Sequence, residues 1–143
     1  MPDIFHSFPI NASAQRVFEA ISTPAGLNSW WTNNCSATPS KNGQYKLGFG
    51  PGYDWSATAS QWSPNSYFEL TLTNADSDWL GTRVGFNLKE NKDTTLVLFH
   101  HLGWPENNDH YQTSCFCWAM YLRLLKRYVE FGEVVPYDDR LDV

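Results

Sequence analysis

Apolar and polar positions alternate from the start of the chain. Ile4, His6, Phe8 and Ile10 fall on one face and Phe5 and Ser7 on the other, a period of two that predicts a strand. Ser13 then stands as an N-cap before a segment in which Val17, Phe18 and Ile21 make a helical stripe. Thr23-Pro24 is a second cap with proline at the first helical position, and Leu27, Trp30 and Trp31 follow at i, i+3 and i+4. Two short helices joined at Thr23 are expected. From Cys35 to Gly103 every segment reads as strand or turn: Tyr45, Leu47, Phe49; Trp55, Ala57, Ala59; Phe68, Leu70, Leu72; Val84, Phe86, Leu88; then Thr95 to Leu102. Asn42-Gly43, Gly50-Pro51-Gly52, Ser63-Pro64-Asn65-Ser66 and Asn91-Lys92-Asp93 supply the turns, and links this short predict antiparallel pairing. Asp109 to Gly132 contains no proline; Trp118, Leu122, Leu125 and Val129 mark one helical stripe, and Gly132 is placed to end it. A helix of that length runs about 36 Å, enough to cross a sheet from end to end.

The order is therefore strand, two short helices, about six antiparallel strands and a long helix. No repeat, linker or low-complexity stretch interrupts it, so residues 1–143 read as one domain, with 133–143 as an acidic arm. At 143 residues, 42% hydrophobic and 17% charged, the chain can bury a real core. A net charge of −5 without a basic run repels a phosphate backbone, which excludes nucleic acid as the expected partner. The chain has no run of eighteen apolar residues to span a membrane, and its first ten residues lack the charge and apolar core of a signal peptide. With three cysteines, Cys35, Cys115 and Cys117, reduced thiols in a cytoplasmic protein are expected.

Val17-Phe18-Glu19-Ala20-Ile21, Leu27-Asn28-Ser29-Trp30-Trp31, His101-Leu102-Gly103-Trp104 and the stretch from Trp118 to Glu130 resemble, in order and spacing, the START-like (SRPBCC) superfamily. Within it they look most like the homologues of the activator of Hsp90 ATPase. The resemblance spans Ile4 to about Glu133 and implies an α+β helix-grip fold. In that fold a curved antiparallel sheet of about six to seven strands wraps around the C-terminal helix, with a cavity between. Inward residues Trp55, Phe68, Val84 and Phe86 would then face Trp118 and Leu122. With His6, Trp31, Phe99, His101 and Cys115 they line the expected site for an apolar or aromatic small molecule, unless they simply fill a core.

His6 shares the apolar face of the first strand. Of the adjacent pair His100 and His101, the resemblance makes His101 the inward one. The resemblance also implies that the first and last strands are neighbours, which would bring His6 and His101 close as either a polar anchor or proton-transfer pair, or two hydrogen-bonded core histidines. No metal is expected. Cys115 and Cys117 at i, i+2 diverge by about 200° on a helix, and no His-x-x-x-His or Cys-x-x-Cys occurs. Nucleotide-binding and serine-nucleophile motifs are missing as well, so no cofactor is expected.

The first functional expectation is a domain that binds or sequesters a small molecule. Its alternative, implied by relatives of the fold, is a cyclase- or dehydratase-type enzyme using His6 and His101. An Hsp90-related chaperone partner is the third reading and is not favoured, since the activator resemblance concerns one domain only. On the outer face, Leu96 and Leu98 stand where the family is usually polar, beside Phe5. Either the tail folds back over this patch through Val135 or Leu141, or a homodimer buries it.

Overall fold

The computed structural model describes residues 2–143. The alternating segments become seven strands: β1 (Ile4–Ile10), β2 (Asn34–Ala37), β3 (Gln44–Gly48), β4 (Asp54–Ser63), β5 (Tyr67–Asn74), β6 (Arg83–Asn91) and β7 (Thr94–Leu102). They form one sheet in the order β1-β7-β6-β5-β4-β3-β2, antiparallel at every step. The first and last strands are neighbours, as expected, with Ile4 opposite His101 and His6 opposite Phe99. Helices α1 (Ala14–Ser22) and α2 (Pro24–Trp30) follow β1, and the long helix α3 (Asp109–Phe131) follows β7. This is the helix-grip architecture expected from the sequence.

Local chemistry sets the helix ends. The Ser13 and Thr23 side chains accept from the N–H groups of Arg16 and Gly26, and Pro24 opens α2. Asn108 caps α3 by accepting from Tyr111 N–H, and Gly132, at φ 68°, ends it in the left-handed conformation that glycine tolerates. The stripe Trp118, Leu122, Leu125 and Val129 is buried as expected, and Leu124, on another face of the helix, is buried as well. One irregularity escapes simple alternation. A register shift between Ala59 and Gln61 flips the parity of β4, so that Trp62 packs on Phe18 and Phe68.

The arm docks in a way the sequence does not foretell. Its last turn, Tyr137–Asp142, buries Arg140, whose guanidinium donates to the carbonyls of Val135, Thr32 and Asn28. The Tyr137 hydroxyl donates to the Phe49 carbonyl. The arm therefore covers the α2–β2 end of the molecule. Leu141 remains 68% exposed, and so do the patch residues Phe5 (67%) and Leu96 (38%); of the two expectations for the patch, coverage by the tail is overturned.

The outer face also holds a buried charge. Glu69 alternates outward, as the pattern requires, yet is only 3% exposed. His100 reaches across β6 to place Nε2 3.0 Å from Glu69 Oε2; Tyr67 donates to the same oxygen, and Ser60 donates to Oε1. Burial alone would raise the Glu69 carboxyl, but the bonds from His100 and Tyr67, with the charge of Arg83, outweigh it and hold the group below the usual range. The crossing is open because position 85 on the intervening strand is glycine. A Cβ there would collide with the His100 ring. Gly85→Ala should therefore destabilise the fold by about 1–3 kcal/mol in urea denaturation, by separating His100 from a buried carboxylate. In a His100→Ala background the same change should cost far less; equal costs in both backgrounds would refute the link.

Candidate functional site

Sheet and helix enclose an interior built of aromatic rings. Five of them close a cycle. Phe49 meets Trp55 at 5.3 Å between ring centroids, Trp55 meets Trp79 at 5.1 Å and Trp79 meets Trp118 at 5.9 Å. Trp118 meets Trp31 at 5.2 Å, and Trp31 returns to Phe49 at 5.3 Å. The members come from every layer: β4, the end of α2, α3 and the loops after β3 and β5. Trp55 and Phe49 are half-buried, and the other three are buried. The collar thus runs from the surface to the centre of the fold, beside the docked arm. Offset and edge-on ring contacts of this kind each contribute roughly 0.5–1.5 kcal/mol beyond the area they bury.

Of the residues expected to line a cavity, Trp31, Trp55 and Trp118 belong to this collar. Phe86 and Phe99 adjoin it, with Phe99 4.6 Å from Trp118 and 5.2 Å from Phe86. Val84 and Leu122 are buried in the same core, while Phe68 lies farther along, packed on Phe18, Tyr45 and Trp62. Two collar-side tryptophans were not anticipated. Trp79 sits in the turn after β5, where no periodicity marks it. Trp104 belongs to the His-Leu-Gly-Trp motif, but its loop position gives no face to read.

His101 lies at the centre, 4.5 Å from Trp79, 4.9 Å from Trp104 and 6.0 Å from Trp118 by ring centroid. Trp118 Nε1–H donates to its Nδ1 at 3.0 Å, so the proton sits on Nε2, which donates to Thr82 Oγ1 at 2.8 Å. The Thr82 hydroxyl in turn donates to the Trp79 carbonyl at 2.6 Å. Burial, then the nearby His100 and His110, push the His101 imidazole down to about 3. It is a neutral ring with both nitrogens engaged. His6 is placed apart from that chain: its ring stacks on Phe99 at 6.1 Å, and Nε2 lies 4.0 Å from Cys115 Sγ. His6 also lines a groove of about 290 Å³ between β1 and α3, with Ala119, Leu122, Arg123 and Lys126.

The remaining thiols and donors are less active. Burial pushes Cys35 up to about 11 and also raises Cys117. At the loop end of the interior, His110 Nδ1 lies 2.9 Å from Asp78 Oδ2, and the His110 ring packs edge-on against Trp104. With Asp76 these groups bring three donor atoms within 4.8 Å of one another, a set able to hold a cation; their contact instead ties the β5–β6 loop to the first turn of α3. Among the described residues no helix is long and apolar enough to cross a membrane.

Residues 11–130 match the family model for activator of Hsp90 ATPase homolog 1-like protein. The chain is 30% identical to the protein in the solution structure of the Aha1 dimer from Colwellia psychrerythraea, over 93% of this chain and 99% of that one, with a TM-score of 0.82. The fold is shared with MLL2253 from Mesorhizobium loti, at 14% identity, TM-score 0.80, covering 93% of this chain and 100% of that one. CalU16 from Micromonospora echinospora shares it too, at 18% identity, TM-score 0.75, covering 96% and 83%. No curated protein matches the chain.

The neutral His101 has a consequence for acid stability. Its folded value lies below the ordinary 6.5, so the unfolded chain binds the extra proton first. The stability it contributes is full above about pH 6.5 and is lost as pH falls toward 3, at up to about 1.4 kcal/mol per pH unit. His101→Gln keeps an acceptor for Trp118 and a donor for Thr82 but does not titrate. Denaturant melts at pH 7, 6, 5 and 4 should show the wild type losing stability faster than the variant; parallel curves would refute this assignment.

Proposed function

For a chain that belongs to the activator of Hsp90 ATPase homolog 1-like family, we propose a function in binding a flat aromatic small molecule between the sheet and α3. The collar of Phe49, Trp55, Trp79, Trp118 and Trp31 carries this reading, because it offers ring faces and edges on every side. A molecule of two or three fused rings would replace ring–ring contacts within the cluster by contacts of the same kind. The half-buried Trp55 and Phe49 would meet it first. The resemblance to a ligand-binding scaffold points the same way. A cyclase- or dehydratase-type reaction through His6 and His101 gains no support, since His101 has no nitrogen free for proton transfer. The expected cavity residues His6, Trp31, Trp55, Phe68, Val84, Phe86, Phe99, His101, Cys115, Trp118 and Leu122 thus divide in this proposal. Trp31, Trp55 and Trp118 touch ligand, Phe86 and Phe99 back them, and the others support the walls.

Native mass spectrometry of protein purified gently from its own host should show a retained small molecule. Two- and three-ring aromatic probes should change tryptophan emission, and Trp55→Ala should weaken them at least tenfold. No retained mass and no probe binding at millimolar concentration would overturn the reading.

The partner in solution is, in the same proposal, a second copy. Phe5 and Leu96 stay exposed on adjacent strands with Leu98 between their rows, and the Colwellia relative is a dimer. Arg83 and Lys89, both exposed on the same face, would form the rim. Sedimentation should show a dimer that Leu96→Lys plus Leu98→Lys converts to a folded monomer; a wild-type monomer at high micromolar concentration would sink the idea.

A further inference from the structure

Buried indole N–H groups in this protein fall into two sets. Trp30 donates to the Ala20 carbonyl at 2.9 Å and Trp118 donates to His101. Trp79 and Trp104, 8% and 0% exposed, have Nε1 atoms that are buried and find no acceptor among the described residues. An unpaired buried donor is costly and uncommon in a folded chain. These two are not scattered. Their rings are neighbours, 5.9 Å apart, and both flank His101.

The environment explains why neither finds a partner. The one nitrogen acceptor at hand, His101 Nδ1, is occupied by Trp118, and His101 Nε2 carries a proton toward Thr82. The Thr82 hydroxyl and the Trp79 carbonyl complete that chain with each other. Every acceptor in the chain is already engaged, and two donors remain. Both also stand on loops, Trp79 between β5 and β6 and Trp104 between β7 and α3, so they can shift without breaking the sheet.

We propose that Trp79 and Trp104 form the polar end of the ligand site and donate to a neutral carbonyl oxygen on the aromatic molecule, as in an aryl ketone or quinone. This rests on the reading that the collar binds such a molecule. A neutral oxygen fits better than a carboxylate, because the cation of the docked arm, Arg140, already donates to three backbone carbonyls. An acceptor is the one group whose arrival satisfies donors that the fold leaves unpaired. A pure hydrocarbon would leave them as they are.

The test uses a matched pair, 9-fluorenone and fluorene, which share a tricyclic frame and differ by one carbonyl oxygen. Titration calorimetry should give fluorenone an affinity about tenfold higher, the scale of one added hydrogen bond. In ¹⁵N-correlated spectra of the wild type the chain has seven indole cross-peaks to follow. The Trp79 and Trp104 peaks, identified by their loss in Trp79→Phe and Trp104→Phe, should move downfield with fluorenone and not with fluorene. If a variant fails to fold, NOEs to neighbouring residues in the wild type make the assignment. Equal affinities, or fluorenone binding without movement of either peak, would overturn the donor assignment and leave the collar reading standing. Binding of neither compound would overturn both.

Discussion

A single helix laid across a curved seven-stranded sheet leaves a wide gap between them, and everything else in the molecule follows from how that gap is closed. Leu122, Leu125 and Val129 fill part of it from α3, and aromatic rings fill much of the rest. Of these rings, tryptophan brings an N–H that must be satisfied or left at a cost. Trp118 meets both demands. It reaches from α3 into the centre of the collar and donates to His101 on β7, which passes the bond on to Thr82 at the end of the β5–β6 loop. Helix, sheet and loop are thereby fixed by one chain of hydrogen bonds inside an apolar cluster. The low dielectric around such a chain makes each bond stronger and each unmade bond dearer. Burial keeps His101 neutral, and the chain of bonds engages both of its nitrogens.

Much of this fold is legible in the sequence because its devices are local. Caps at Ser13 and Thr23, proline at the start of α2, glycine at the end of α3 and period-two runs in the strands all act within a few residues. The family resemblance adds the order of pairing, which makes β1 and β7 neighbours. What the sequence hides is non-local. Glu69 reads as an ordinary solvent-facing carboxylate, since nothing in its own strand shows that His100, two strands away, will reach it over Gly85. Arg140 looks like one charge in an acidic arm, and only the surroundings of Thr32 and Asn28 make it an anchor.

The candidate site divides along the same line. Trp31, Trp55 and Trp118 lie on predicted elements whose faces could be counted, and the collar includes all three. Trp79 and Trp104 lie on loops, where side-chain direction depends on the path of the chain rather than on a period. They are also the residues whose N–H groups go unpaired. That coincidence has a physical basis. Strand and helix positions are rigid enough for complementary partners to be fixed in place, as with Trp30 and Ala20. Loop positions carry donors that can be left for something else to meet.

His100 and His101 show how far surroundings decide chemistry. They are consecutive in the chain and point to opposite faces of one strand. On the outer face His100 is drawn to a buried carboxylate, with Nε2 3.0 Å from Glu69 Oε2. On the inner face His101 is enclosed by rings, and its two nitrogens are fixed as one acceptor and one donor. A proton added there would have to displace the Trp118 bond in an apolar interior, which is why the ring stays neutral. The inner face is therefore suited to shape and hydrogen-bond recognition of an uncharged molecule. The outer face sets the Glu69–His100 pair on the same side as exposed Phe5 and Leu96, the surface on which the proposed dimer rests. In the proposed function one sheet separates the two kinds of recognition, and the alternation of its side chains sets which residues face each side.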